Sequence, residues 1–160
     1  MEFLKGLPPQ TIRVLFTDGK SRLKTEILEL VKEQNHGVQE IAASVIEMLH
    51  QLPKDDQVMW VLSLRHDETL IIRKLGVIAL SAFKQARTPR IRELDQRVID
   101  GLIDALDDPT LDVIGLALIG ISTIKSRKAR RAVARVMRLH PDEAIRATAA
   151  WALKIMKQNG

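Results

Sequence analysis

One pattern, written four times along the chain, limits what this sequence can fold into. Segments beginning at Val38, Ile72, Val113 and Ile145 align without gaps. Each opens on a β-branched residue and places a small residue four positions on: Ala42, Gly76, Ala117 and Ala149. An aliphatic follows at plus eight (Ile46, Leu80, Ile121, Leu153) and another apolar residue at plus eleven (Leu49, Phe83, Ile124, Met156). These offsets fall on one stripe of an α-helix. The segments start 34, 41 and 32 residues apart, which is the length of one helical hairpin per repeat.

The partner helix of each hairpin is visible upstream of its segment. Leu23, Ile27, Leu30 and Val31 serve the first repeat, and Val58, Val61 and Leu62 the second. Val98, Leu102 and Leu106 serve the third, and Ala129, Val133, Val136 and Met137 the fourth. Turn residues separate the two helices of each pair: Asn35-His36-Gly37, His66-Asp67-Glu68, Asp107-Asp108-Pro109 and His140-Pro141-Asp142. Aspartate caps the free N–H groups of a helix start, and proline fits a first turn. Glycines inside the second helices, at 76, 115 and 120, predict close approach between neighbouring hairpins.

The expected fold class is therefore all-α: a right-handed α-solenoid of about four helical hairpins with an N-terminal capping helix. Residues 1–20 form the cap, and residues 21–157 a single array. The hairpins span about 21–51, 54–84, 93–125 and 127–157, with an inter-repeat loop at about 84–94. Trp60, in Val58-Met59-Trp60-Val61-Leu62, is expected to be buried in mid-array.

Two segments carry a resemblance. Asp67…Ile72-Arg73-x-x-Gly76-x-x-Ala79-Leu80 and Asp142-x-x-Ile145-Arg146-x-x-Ala149-x-x-Ala152-Leu153 resemble the second helix of HEAT repeats. They are most similar to the short bacterial kind found also in phycobilisome-lyase-like proteins. The other two repeats have Gln39 and Ile114 where the arginine stands. The resemblance implies an α-solenoid used for protein binding or scaffolding. It also admits nucleic-acid binding, or a role as accessory to a chromophore or cofactor lyase.

Composition removes several chemistries. With no cysteine there are no disulfides, thiolate metal sites or thiol nucleophiles. Gly19-Lys20-Ser21 lacks the upstream glycine of a phosphate-binding loop, since Val14 stands there. His66 and His140 belong to different repeats, too far apart to share a metal, and act as turn caps. Asp55-Asp56 and Asp107-Asp108 are expected as helix caps on an exposed rim. No nucleophile has a plausible base beside it, so the expectation is a non-enzymatic chain without cofactor or metal. No apolar run approaches the roughly 20 residues of a membrane span, and the start lacks the pattern of a signal peptide. A cytoplasmic protein with no membrane partner is expected.

Two surfaces stand out. The net charge of +5 comes wholly from residues 84–160. There Arg127, Lys128, Arg130, Arg131, Arg135 and Arg138 form a basic strip, facing an acidic strip of Asp100, Asp104 and Asp107. The second surface lies six residues into each aligned segment: Ser44, Ile78, Ile119 and Trp151. This apolar ladder points away from the buried stripe, on the expected concave face. Ile78, Ile119, Trp151, Ser122 and Lys154 are the candidate residues for binding another protein. The alternative partner is nucleic acid, held by the basic strip with Arg87, Arg90 and Arg92 of the loop.

Overall fold

The computed structural model describes residues 54–82 and 89–158, with two further helical positions, Ala42 and Ile46. The expected cap and the rest of the first hairpin lie outside the described residues. Within them the chain is all-α. Its helices are α1 (Lys54–Arg65), α2 (Leu70–Ala82), α3 (Pro89–Asp104), α4 (Leu111–Ser122), α5 (Arg127–Leu139) and α6 (Glu143–Gln158). A 3-10 turn, Ala105–Asp107, tightens the end of α3. The helices pair as hairpins α1/α2, α3/α4 and α5/α6. Stacked in order, they form two layers, α1–α3–α5 and α2–α4–α6, the arrangement of an α-solenoid. One expectation fails: helix begins at Pro89, so the loop predicted to about residue 94 ends earlier. Proline suits that first helical position because its fixed φ is helical and its missing N–H would have had no partner there.

The repeated stripe forms the core. Ile72, Val113 and Ile145 are buried, as are Leu80 and Ile121, while Ile46 and Leu153 pack against the core from its edge. All four small residues at plus four, Ala42, Gly76, Ala117 and Ala149, are buried. At Gly76 the reason is steric. A Cβ there would sit 2.7 Å from the backbone nitrogen of Arg65 in α1. Two further glycines admit a neighbouring hairpin: Gly120 faces Ser81 of α2, and Gly101 lies against Leu62 of α1 and Leu80 of α2. Gly115 breaks the expectation, because a Cβ there would meet nothing within 4 Å.

The turns share one device. The Asp67 Oδ1 accepts the Thr69 N–H at 2.7 Å, and the Asp108 Oδ1 accepts the Thr110 N–H at 2.9 Å. In the last hairpin His140 Nδ1 takes the same place, accepting the Asp142 N–H at 3.1 Å. Asp142 and Ser126 then cap the next helices, taking the N–H groups of Ile145 and Ala129.

Asp108 does more than cap, and it is not on an exposed rim. Its side chain is only 3% exposed, and it accepts from Arg73 Nε of the preceding hairpin at 3.0 Å. Arg73 also donates to Thr110 Oγ1 and to the carbonyls of Asp67 and Glu68. One guanidinium thus closes its own turn and locks it to the next.

Four substitutions test this account by chemical denaturation. Gly76→Ala should destabilise by about 1–3 kcal/mol, because backbone must move to admit the methyl. Gly115→Ala should stabilise by up to about 1 kcal/mol, since only helix propensity changes. Asp108→Ala should cost about 3 kcal/mol by stranding Arg73. Asp112→Ala, which breaks the exposed pair with Lys74, should cost less than about 1 kcal/mol.

Candidate partner-binding surfaces

The layer of second helices presents the ladder. Ile119 is 53% exposed and Trp151 46% exposed, although their sequence neighbours Leu118 and Ala152 are fully buried. Six positions after the anchor, the side chain has turned well away from the core-facing stripe. Ile78, at the same place in α2, is only half-buried and packs against the core. Ser44 lies outside the described residues.

The two polar candidates on this face do not join the ladder. Ser122 is buried, and its hydroxyl donates to the Ile119 carbonyl at 2.7 Å. It sits nine positions after its anchor, where Ser81 of the preceding hairpin packs against Gly120. That position faces the following hairpin. Lys154 occupies it in the last hairpin and is exposed.

The layer of first helices carries the charges. Val98, Leu102 and Leu106 point inward, as do Ala129, Val133 and Val136, which turns the acidic and basic strips outward side by side. An open groove of about 710 Å³ runs between them, bordered by Leu62 and His66 of α1. The strips are largely zipped together. Lys128 pairs with Asp100 at 2.7 Å, and Arg135 with Asp107 at 2.8 Å. Asp104 is taken by Arg65 of α1 at 2.6 Å. Arg65 is buried, with its other arm on His66 Nδ1 at 2.9 Å. Arg130 turns aside to donate to the Met156 carbonyl. Among the described residues no carboxylate reaches Arg127, Arg131 or Arg138; Arg138 bonds only the Ala134 carbonyl one turn back. The side chains of Arg87, Arg90 and Arg92 lie outside the described residues.

A family model of HEAT repeats matches residues 99–160. That part of the chain is similar to HEAT repeats. No curated protein and no solved structure matches the chain. The matched HEAT segment covers α4, α5, α6 and the last six residues of α3. It therefore contains both exposed ladder residues and the whole basic strip.

Sequence reasoning placed Ile119 and Trp151 correctly on the surface but missed the pairs made by Arg65 and Arg73. Arg73 had a signal: an arginine right after the anchor, with an aspartate in the next repeat's turn. For Arg65 no local signal exists, since its partner Asp104 comes from the following hairpin. Among the described residues, no helix is long and apolar enough to cross a membrane. No group of His, Cys, Asp or Glu among them could hold a metal ion.

The two tryptophans report on this surface. Trp60 is buried in α1, as expected, although its neighbour Met59 is exposed. Acrylamide should therefore quench part of the emission, the red-shifted part belonging to Trp151. Trp151→Phe should leave a blue-shifted, poorly quenched spectrum. An unchanged quenchable fraction would place Trp151 in the core.

Proposed function

We propose that this chain is a non-enzymatic protein-binding module that uses the second-helix face of its HEAT array. HEAT repeats generally mediate protein interactions, and proteins built from them are typically non-enzymatic. The observation that carries the reading is the pair Ile119 and Trp151: two large apolar side chains, one per hairpin, exposed at the same repeat position. Leaving them in water is costly to solubility, and a partner that covers them removes apolar surface from water. Aromatic anchors of this kind dominate interface energies. Ile78 extends the ladder at its edge. The site we assign is in the cytoplasm, with scaffolding as its use.

The basic strip supports nucleic acid binding less well. Two of its six cations are neutralised by Asp100 and Asp107, and a third turns to a backbone carbonyl. Phosphate would meet an acidic strip alongside. A lyase-accessory role has only the resemblance to phycobilisome-lyase-like repeats behind it.

Affinity capture from nuclease-treated and untreated lysate separates the readings. Ile119→Ser with Trp151→Ala should abolish capture of a protein while shifting stability by less than about 1 kcal/mol. Leu118→Ala, one residue away, should cost about 2–5 kcal/mol. Glu at positions 131, 135 and 138 should leave capture intact. Capture that nuclease abolishes and the ladder substitutions do not affect would transfer the function to the basic strip.

A further inference from the structure

Two joints connect the described hairpins, and they are fastened differently. The first lies between α1/α2 and α3/α4. There Arg65, its side chain only 8% exposed, holds Asp104 at 2.6 Å, and Arg73 holds the buried Asp108 at 3.0 Å. Lys74 pairs with Asp112 alongside. Leu62 of α1 also presses against α3 at Gly101, where a Cβ would come within 2.5 Å of its Cδ2. Arg65 and Asp108 are the buried charged residues of the described chain, and both serve this joint.

The second joint, between α3/α4 and α5/α6, has no buried charge among the described residues. The residue of α4 that corresponds to Arg73 is Ile114, and the turn residue that corresponds to Asp108 is His140. The joint carries ion pairs of another kind. Lys128 meets Asp100 at 2.7 Å and Arg135 meets Asp107 at 2.8 Å, and all four side chains are between 45% and 64% exposed. Seven residues separate the two pairs on each helix, so they lie about 10 Å apart along it. The open groove runs here between the first helices, lined by Ile103 of α3 and Ala132 of α5. On the other layer α4 and α6 pack directly, and Ile114 and Leu118 of α4 are buried. Salt screens exposed pairs strongly and buried pairs much less.

We propose that the second joint is a salt-sensitive hinge. The hairpin α5/α6 rotates on α3/α4 about the contact of α4 with α6, and the pairs Lys128–Asp100 and Arg135–Asp107 are the latch that closes the first-helix side. With helix layers roughly 10 Å apart, a rotation of about 15° parts α3 and α5 by about 3 Å. Ile119 and Trp151 belong to the two hairpins that this joint connects, and they are exposed on the far side of its axis. Opening the latch therefore brings them together. The latch thus sets the spacing of the ladder, a consequence that rests on the protein-binding reading given above.

The test uses the whole chain. It contains no cysteine, so cysteines introduced in pairs carry spin labels without background, and electron paramagnetic resonance reads the distance between them. Met59 with Gln96 spans the first joint, and Gln96 with Arg138 the second; all three are exposed and none belongs to the latch. Gly115 with Ala147 spans the second joint beside the ladder. Raising sodium chloride from about 0.01 M to about 1 M shortens the screening length from about 30 Å to about 3 Å. The distance between positions 96 and 138 should then lengthen by about 3 Å, the shift of one hinge rotation across a helix layer, and its distribution should broaden. The distance between 115 and 147 should shorten, and that between 59 and 96 should hold. Asp100→Asn with Asp107→Asn should give the open distribution already at low salt. The salt series leaves the latch residues intact, so it decides the matter even where that double variant fails to fold. A second joint that ignores salt, or a first joint that lengthens as much, would overturn the proposal. So would lengthening at both label pairs of the second joint, because the hairpins would then part without rotating. No partner enters these measurements, so their outcome is independent of whether the ladder binds a protein.

Discussion

The fold rests on how closely the two helices of a hairpin approach each other. A small residue at the fourth position of the stripe lets this happen, and at Gly76 even a methyl group would strike the backbone of α1. Close approach has a consequence for the whole array. Helices that touch backbone to side chain leave little freedom in their crossing, so each hairpin becomes a rigid unit with defined outer faces. The stripes at plus one, plus five and plus nine then come into register with the next hairpin, and Leu118 and Val77 can be completely buried there.

Rigid hairpins still need an angular reference, and the turn supplies one. Asp108 satisfies a backbone N–H of its own turn with one oxygen and accepts the Arg73 guanidinium of the previous hairpin with the other. A buried pair of this kind adds little net stability over an apolar contact. It does fix one hairpin's turn against its neighbour, because the guanidinium fork is planar and anchored on two carbonyls of its own turn. The next junction manages with Ile114 and a neutral acceptor, so the ionic rung is an option of this architecture and the apolar stripe its requirement.

The parts of this structure that were legible in the sequence are those governed by local periodicity. Within the described residues, hairpin pairing and the buried stripe follow from spacings within a dozen residues, and so does the outward turn of Ile119, Trp151 and the two charged strips. Contacts between hairpins were harder, since they depend on which of several surface positions the next repeat covers. Ser122 and Lys154 hold the same repeat position, yet among the described residues one is covered by a neighbouring hairpin and the other is exposed. Gly115 was misread for a similar reason. A helical glycine signals close approach only when something approaches, and at that point α4 has open space. Pro89 was read as part of a loop because the 41-residue spacing between the second and third segments points to an insertion there.

The two layers end up chemically different because of what each can hide. In the layer of first helices, Asp100 and Asp107 pair with Lys128 and Arg135 of α5 across a shared groove and Asp104 with Arg65 of α1, so these acids are spent on contacts within the array. In the layer of second helices the small residues of the stripe let the helices pack closely, and Ile119 and Trp151 stand exposed on its outer side. Six positions after the anchor, Ile119 of α4 and Trp151 of α6 turn away from the core and stay exposed, whereas Ile78 of α2 packs against it in part. A chain that needed only to fold would place polar residues at that position at no cost to its core. The isoleucine and tryptophan there are what the protein-binding function we propose accounts for.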